Sequence, residues 1–142
     1  MFKPLTALRL MLADDNASVR QSLKSLLEQK GFKVIAEADD GVQAVSLAHQ
    51  FRPDVILLDL SMPCLNGIEA AKQIHKSIPE ARTVILTIHR DYHYVVKALE
   101  AGARGYILKG RAVEELARGV CQVAEGKLFL SHGLSPQVGQ EV

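Results

Sequence analysis

Short, unbroken apolar runs alternate with segments of helical periodicity along most of this chain. The runs are rich in valine, isoleucine and leucine and occupy positions 8–12, 33–37, 54–58, 83–87 and 105–108. Apolar runs without polar alternation are typical of parallel strands that are covered on both faces. Parallel neighbours need a crossover connection, which is usually a helix. The pattern therefore predicts an α/β fold: a doubly wound, five-stranded parallel sheet with five helices.

The predicted helices carry apolar residues three or four positions apart and end at residues that stop helices. In the first helix Val19, Leu23 and Leu27 share one face, and Gly31 follows. Glycine adopts the left-handed conformation that often closes a helix, and proline cannot continue one. Three later helices are followed by the same kind of residue: Pro79, Gly102 and Gly126.

The length of 142 residues suits one domain with a single substantial core. The strand and helix pattern begins at residue 8 and ends at residue 126. Residues 127–142 open with a brief apolar stretch and continue with glycine, serine, proline and glutamine, which is typical of a tail or linker. We predict an N-terminal extension over residues 1–7, a domain over 8–126, and a tail or the start of a linker over 127–142.

The composition argues against several classes of function. The formal net charge is +1 and the basic residues are scattered, so charge alone does not support attraction to nucleic acid or membranes. No apolar stretch is long enough to cross a bilayer, and the N-terminus lacks the apolar core of a signal peptide. Cys64 and Cys121 form no CxxC or zinc spacing; we interpret them as reduced thiols, with Cys121 in the core. We expect a cytoplasmic protein.

Polar side chains follow four of the five predicted strands. Asp14 and Asp15 come after the first strand, and Asp59 comes directly after the third. The fourth strand ends in Thr87, and the fifth runs into Lys109. Ligands of open α/β sheets bind beyond the carboxyl ends of the strands, so we expect these five side chains to converge at one edge.

Three carboxylates at one edge repel one another: two charges about 5 Å apart cost roughly 3 kcal/mol at an effective dielectric near 20. Lys109 supplies one positive charge, and an all-oxygen acidic cluster also suits Mg²⁺. Asp59 is the best candidate nucleophile, because a carboxylate can attack a phosphoryl group and form an acyl phosphate. Thr87 could donate a hydrogen bond to one phosphoryl oxygen, and Lys109 could pair with another.

Four motifs fall in order at these strand ends: LADDN, VILLDLSMPCLNG, VILTIHRD and GYILKG. Together they resemble the receiver domain of two-component response regulators, the CheY-like family, over residues 8–126. EAGARGYILKG and GKLFLSHGLSPQV are similar to the NarL/FixJ subfamily, whose receiver precedes a LuxR-type helix-turn-helix DNA-binding domain. The resemblance implies a flavodoxin-like sheet in the order 2-1-3-4-5, and a transcriptional output domain that is absent from this chain.

The resemblance also implies a phosphorylation site. Asp59 would accept a phosphoryl group from a sensor histidine kinase or from small phosphodonors. Mg²⁺ would be bound directly by Asp15 and Asp59, partly through water by Asp14, and by the main-chain carbonyl of Ser61. Lys109 would pair with the phosphoryl group.

A switch is implied as well. Thr87 and Tyr106 would form a pair in which the phosphoryl group draws the Thr87 hydroxyl inward and Tyr106 rotates into the vacated space. The helix over residues 91–101, the strand at Tyr106 and the last helix would form the output face, and dimerisation is a common readout of that face. We therefore expect a signalling domain rather than an enzyme, a possible homodimer, no direct binding of nucleic acid by this segment, and no membrane partner.

Three residues depart from the family pattern or add to it. Gly110 follows Lys109 where many receivers have a proline, so the family pattern does not fix the conformation of this loop. Ile88 is bulky next to Thr87, which suggests slower phosphorylation or hydrolysis; equal phosphate lifetimes in Ile88→Ala and the parent would reject that hypothesis. The side chain of Ser61, two residues after Asp59, is in a position to contact attacking water.

Ordinary structural roles compete with these assignments. Acidic residues before a helix are common N-caps, which applies to Asp14 and Asp15. Thr87 is also a normal strand residue, and Tyr106 is explained as well by a half-buried strand aromatic as by a moving switch. Three further features are interpreted structurally: a turn and cap at Asp39–Gly41, a His89 and His93 pair without a third metal ligand, and isolated histidines at 49, 75 and 132.

Three other functions each require a feature that this sequence lacks. An aspartate-nucleophile phosphatase or mutase would carry a second acid two residues after Asp59, where this chain has Ser61. A nucleotide-binding domain would need a glycine-rich loop after the first strand, where this chain has Asp14 and Asp15. A DNA-binding domain would need a basic recognition helix, and the last helix mixes arginines with glutamates.

Overall fold

A computed structural model of the chain describes residues 8–134 and has six parallel strands and five α-helices. The strands are β1 (Arg9–Ala13), β2 (Lys33–Ala38), β3 (Val55–Asp59), β4 (Thr83–Thr87), β5 (Gly105–Leu108) and β6 (Phe129–Leu130). The helices are α1 (Ala17–Gln29), α2 (Gly41–Phe51), α3 (Gly67–Ser77), α4 (Tyr92–Glu100) and α5 (Ala112–Ala124). The sheet order is β2-β1-β3-β4-β5-β6, and every neighbouring pair is parallel. The predicted doubly wound α/β fold and the order of its first five strands are confirmed.

The prediction of a five-stranded sheet is wrong by one strand. β6 pairs Phe129 with Gly105 and Leu130 with Tyr106, so it lies along the outer edge of β5. This strand falls within residues 127–134, the part of the expected tail that the structure describes, which we call the C-terminal strap. A two-residue strand is too short to produce a recognisable apolar period, and the glycines and serine around it favour a loop interpretation.

The first three helices begin at side-chain caps, and the cap of α1 is neither Asp14 nor Asp15. Asn16, rather than Asp14 or Asp15, caps α1 by accepting a hydrogen bond from the backbone N–H of Val19. Asp40 caps α2 in the same way through Gln43, as predicted for that turn. Capping therefore does not account for Asp14 or Asp15.

The sheet separates two apolar clusters, one on each face. Met11, Ile56, Leu58 and Ile85 point to the α2, α3 and α4 side, while a second set points to α1 and α5: Leu10, Leu12, Leu57, Val84 and Leu86. Cys121 is half-buried against the second cluster and Cys64 is exposed; neither forms a disulfide within the described residues. None of the helices in residues 8–134 is both long and apolar enough to pass through a bilayer.

Candidate functional site

Asp14, Asp59 and Lys109 meet at the carboxyl edge of the sheet. The Lys109 Nζ lies 2.9 Å from Asp14 Oδ2 and 3.1 Å from Asp59 Oδ1. Asp14 is fully buried and Asp59 nearly so, whereas 22% of the lysine side chain remains exposed. A single ammonium therefore bridges two carboxylates at the ends of adjacent strands.

The Asp14 carboxylate is held by the backbone on one side and lacks a hydrogen bond on the other. Its Oδ1 accepts from the N–H of Asn16 at 2.9 Å. Its Oδ2 is buried and accepts no hydrogen bond of acceptable angle from the described residues, although the lysine ammonium is close enough to offset its charge. A buried carboxylate oxygen without a hydrogen bond is costly, so this oxygen is suited to a further cation.

Asp15 completes a carboxylate cluster that fits a divalent ion. One oxygen from each of Asp14, Asp15 and Asp59 lies within 4.8 Å of the others, and this is the one group of three potential metal-binding side chains within residues 8–134. Carboxylate oxygens suit Mg²⁺ better than softer metals, and the exposure of Asp15 leaves room for the waters that Mg²⁺ retains. The donor set and the buried oxygen of Asp14 therefore fit the predicted ion.

The environment of Asp59 makes it harder to ionise than an ordinary aspartate. Burial raises its pKa to about 6, and the Asp14 charge adds to this, while Lys109 and the backbone N–H of Ser61 work against it. That N–H lies 3.4 Å from Asp59 Oδ1. Burial alone would lower the pKa of Lys109, but the two carboxylates outweigh it and hold that pKa above its ordinary value. The site thus combines an ammonium with a partly desolvated carboxylate.

Thr87 and Tyr106 both contact the loop after β4. The Oγ1 of Thr87 accepts a hydrogen bond from the N–H of His89 at 3.0 Å, and the Tyr106 hydroxyl donates to the His89 carbonyl at 2.9 Å. Tyr106 is fully buried, and burial raises its pKa to about 12. Both predicted switch residues therefore bond to the backbone of the same loop residue, His89.

The structure also places the other residues near the site that the sequence singled out. Ile88 is 75% exposed, so it extends into solvent beside Thr87. Gly110 lies in a single 3₁₀ turn over Lys109–Arg111, where a Cβ atom would meet no atom within 4 Å. His89 and His93 both pack on the ring of Tyr94, at centroid distances of 4.6 and 5.4 Å, which is consistent with the structural interpretation of that pair.

Two residues that sequence reasoning missed support the site from outside. The Arg20 guanidinium donates to the Asp14 main-chain carbonyl at 2.6 Å and to Glu37 at 3.1 Å, so it ties the acidic loop to β2. Glu115 is almost completely buried and accepts a hydrogen bond from Arg111, the last residue of the turn that begins at Lys109. The only available signal was a cation one turn inside α1 and an acid within the apolar face of α5.

A large groove elsewhere contains none of these residues. It has a volume of about 920 Å³ and opens at the amino ends of the strands, between Arg52, Glu80 and Glu125. Because ligands of open α/β sheets bind at the carboxyl ends, the acidic edge is the better candidate site.

The chain is similar to proteins of one known family. Residues 10–120 match the family described as "Response regulator receiver domain". The chain is 36% identical over 124 residues to the transcriptional regulatory protein DegU of Brevibacillus brevis, covering 87% of this chain and 52% of DegU. It is 33% identical over 132 residues to the response regulator UvrY of Escherichia coli, covering 92% of this chain and 61% of UvrY. The chain thus spans between half and two thirds of the length of these curated relatives.

A solved structure resembles the whole described fold. It is a two-component response regulator of the LuxR family from Aurantimonas sp., with a TM-score of 0.89 and 34% sequence identity. The match covers 94% of this chain and 96% of that one.

Proposed function

Since the chain belongs to the response regulator receiver domain family, we propose that it is a phosphorylation-dependent switch in which Asp59 accepts a phosphoryl group from a sensor histidine kinase. The supporting observation is the Lys109 ammonium, 3.1 Å from Asp59 and 2.9 Å from a second, buried carboxylate. The ammonium offsets the charge of the two acids and remains 22% exposed, so an incoming group can reach it. It is suited to stabilising an incoming phosphoryl group.

The proposed step is a displacement at phosphorus. A carboxylate oxygen of Asp59 forms a bond to phosphorus, the bond between phosphorus and the donor breaks, and the donor leaves with that electron pair. The donor is a phosphohistidine imidazole of the kinase or a small acyl phosphate. Lys109 would pair with a phosphoryl oxygen, and the Thr87 hydroxyl would donate to another.

A divalent ion belongs to this proposal. Asp14, Asp15, Asp59 and the main-chain carbonyl of Ser61 would hold Mg²⁺, with part of the Asp14 contact through water. When bound, the ion offsets the charge of the carboxylates and of the phosphoryl group. Three mutually close carboxylate oxygens support this assignment.

The proposed switch uses the loop after β4. If Thr87 turns towards the phosphoryl group, its hydrogen bond from the His89 N–H is lost, and the contact between His89 and Tyr106 is free to change. The face formed by α4, β5 and α5 would carry the change to a partner. The relatives' names, transcriptional regulatory protein and response regulator, support a transcriptional output through a DNA-binding domain outside this segment.

The decisive experiment is phosphorylation by acetyl phosphate with Mg²⁺, read by intact mass. We expect the parent and Asp39→Asn to gain one phosphoryl group, since Asp39 is exposed and outside the site. Asp59→Asn is expected to gain none. Phosphate on Asp59→Asn would overturn the assignment, and rapid multiple turnover of phosphomonoesters would favour the phosphatase instead.

Two further parts of the proposal have their own measurements. Size-exclusion chromatography with and without beryllofluoride tests the homodimer, which predicts earlier elution of the treated protein and unchanged elution of Asp59→Asn. Localisation stays the sequence-based expectation of the cytoplasm, which fractionation of cells would check.

A further inference from the structure

Glu115 is a buried acid that the proposed phosphoryl transfer does not use. Its side chain is 1% exposed on the inner face of α5, next to the turn that carries Lys109. Its carboxylate accepts hydrogen bonds from the Ser131 hydroxyl, from the His132 N–H at 3.0 Å, and from Arg111 Nε at 3.3 Å. A buried carboxylate with three donors is a strong anchor for the groups that donate to it.

The anchor reaches β5 through Ser131. The Ser131 hydroxyl accepts a hydrogen bond from the N–H of Leu108 at 3.1 Å while it donates to Glu115. Its backbone N–H donates to the Tyr106 carbonyl at 2.9 Å. The C-terminal strap is therefore attached to the strand directly before Lys109 and to the helix directly after it.

These bonds restrain the chain on both sides of Lys109. The N–H of Leu108, just before the lysine, is tied to Glu115 through the Ser131 hydroxyl, and the side chain of Arg111, two residues after it, is tied to Glu115 directly.

The sheet and the turn also hold this segment. Leu108 pairs with Thr87 of β4, and the Lys109 carbonyl accepts a hydrogen bond from the N–H of Ala112. A Cβ atom at Gly110 would meet no atom within 4 Å, so that residue adds no packing. Glu115 and the strap therefore add to the restraint that the sheet and the turn supply.

The ionisation of Glu115 agrees with this arrangement. Burial alone would raise the pKa of Glu115, but hydrogen bonds from Ser131, His132 and Arg111 outweigh burial and hold that pKa below its ordinary value. The group is thus a carboxylate at neutral pH and acts as an acceptor for all three donors.

Packing keeps the strap in place. Phe129 is buried in the cluster under α5, with the Arg118 guanidinium 5.3 Å from its ring centre, and Leu130 packs on the opposite cluster. At the far end, Arg90 donates to the Gly133 carbonyl at 3.2 Å. The strap therefore has its own fixed position from which Ser131 can restrain β5.

We propose that Glu115 and Ser131 are positioning residues for Lys109, so that the C-terminal strap is part of the reactive site although none of its atoms reaches Asp59. The inference rests on the proposed function for its consequence, because Lys109 is the group that would meet the phosphoryl oxygen. The structural part of the inference, that Glu115 and Ser131 hold Lys109 in position, does not depend on phosphorylation.

The first test asks whether Glu115 acts through Lys109. Rates of Asp59 phosphorylation by acetyl phosphate are compared for Glu115→Gln, Ser131→Ala and the control Glu114→Gln, whose side chain is 57% exposed. Each is made in the parent and in a Lys109→Ala background. We expect Glu115→Gln and Ser131→Ala to slow the parent by roughly tenfold and the Lys109→Ala background by less than about twofold, because coupled residues are non-additive. Equal slowing in both backgrounds means a purely structural role and overturns the proposal.

The second test measures the lysine without phosphorylation. Brief acetylation followed by peptide mass spectrometry gives the modification of Lys109 relative to Lys72, an exposed lysine on α3. We expect a several-fold rise for Lys109 in Glu115→Gln and Ser131→Ala, and none in Glu114→Gln. Unchanged labelling overturns the inference, whereas raised labelling in a protein that never becomes phosphorylated overturns only the proposed function. Should Glu115→Gln fail to fold, Ser131→Ala decides, because it removes one hydroxyl and keeps the carboxylate.

Discussion

Asp59 is an anion at the end of a strand that is otherwise entirely apolar and buried. Its carboxylate is offset by one ammonium and opposed by the charge of Asp14, and the balance leaves its pKa at about 6. Without a metal ion, ionised Asp59 therefore destabilises the fold at neutral pH. The fold therefore keeps a carboxylate in a place where its ionised form is unfavourable, and such strongly shifted pKa values are common at functional sites.

We predict that Asp59→Asn stabilises the metal-free protein at neutral pH. The folded-state pKa lies above the ordinary value of 3.8, so the folded state binds more protons, and stability falls as pH rises from about 4 through about 6. The amide stays neutral, so we expect a gain of roughly 2 kcal/mol above pH 7 and almost none near pH 4. Urea unfolding in EDTA at both pH values measures this.

Asp39→Asn is the matched control for that series, since Asp39 is exposed and is not part of the carboxylate cluster. A gain for Asp59→Asn that is the same at both pH values would show that ionisation is not its cause.

The site residues at the strand ends could be predicted from the sequence, and the residues that hold them in place could not. Asp14, Asp15, Asp59 and Lys109 follow recognisable apolar runs, and the topology brings parallel strand ends together. Glu115 lies within the apolar face of α5, but that position alone does not show which groups donate to its carboxylate. Its partners are contributed by Ser131 and His132, more than fifteen residues away.

The first residue of α3 lies against the backbone of the site. A Cβ atom at Gly67, the first residue of α3, would lie 2.3 Å from the carbonyl oxygen of Asp59. The helix therefore begins in contact with the backbone of the candidate phosphoacceptor. Only glycine permits this approach, because the obstacle is main chain and cannot rotate away.

We predict that Gly67→Ala costs about 2 kcal/mol or more of unfolding free energy and slows phosphorylation, because either α3 or the end of β3 has to shift. Gly110→Ala is the control, since a Cβ atom there meets nothing within 4 Å, and its stability is expected to stay within about 0.5 kcal/mol of the parent. Urea unfolding and the acetyl phosphate assay measure the two effects. Similar costs at both positions would contradict the contact argument.

The junction of α3 and β4 contains a histidine that favours its neutral form. His75 lies against Gly102 and its Nε2 is 3.0 Å from the hydroxyl of the buried Thr83. Burial lowers the pKa of His75, and the nearby charge of Arg104 lowers it further, while an interaction with the backbone of Pro79 opposes the shift. Protonation therefore disfavours the packing of α3 on β4.

We predict that part of the stability of the protein is lost as pH falls below about 6.5, the range in which the unfolded histidine binds a proton and the folded one resists it. His75→Asn keeps a polar partner near Thr83 and cannot be protonated. The comparison is made in the Asp59→Asn background, because the titration of Asp59 changes stability in the opposite direction over the same pH range. In that background we expect His75→Asn to make stability depend less on pH between about 7 and 5.5. Unfolding free energies at both ends of that range test this, and parallel profiles with and without His75→Asn would contradict it.

The elements themselves were largely predictable, with β6 as the exception. The first five strands have four to six residues and strong apolar runs, whereas β6 has two residues and depends on pairing with β5 for its existence. A strand of that kind is defined by its neighbour rather than by its own sequence.

At the scale of the whole molecule, the sheet is a covered central layer and its carboxyl edge carries most of the unfavourable charge. The apolar clusters on both faces supply stability, and the acidic edge reduces it. A cation bound only by the folded state would reverse that loss.

We predict that Mg²⁺ stabilises the protein. At a free concentration of about 100 times Kd the gain is about 3 kcal/mol, which corresponds to a rise of several degrees in Tm. Asp15→Asn should remove this dependence with little effect on the metal-free Tm, because Asp15 is exposed. Thermal unfolding in EDTA and in Mg²⁺, with Na⁺ at matched ionic strength as control, gives the comparison. The same response in parent and variant would argue against an ion at this edge.

The strap also ends against the loop after β4. Arg90 of that loop donates to the Gly133 carbonyl, and Leu134 borders a shallow groove with Tyr92, the first residue of α4. The end of the strap therefore contacts the same loop as Thr87 and Tyr106, so a displacement of that loop would reach the strap directly.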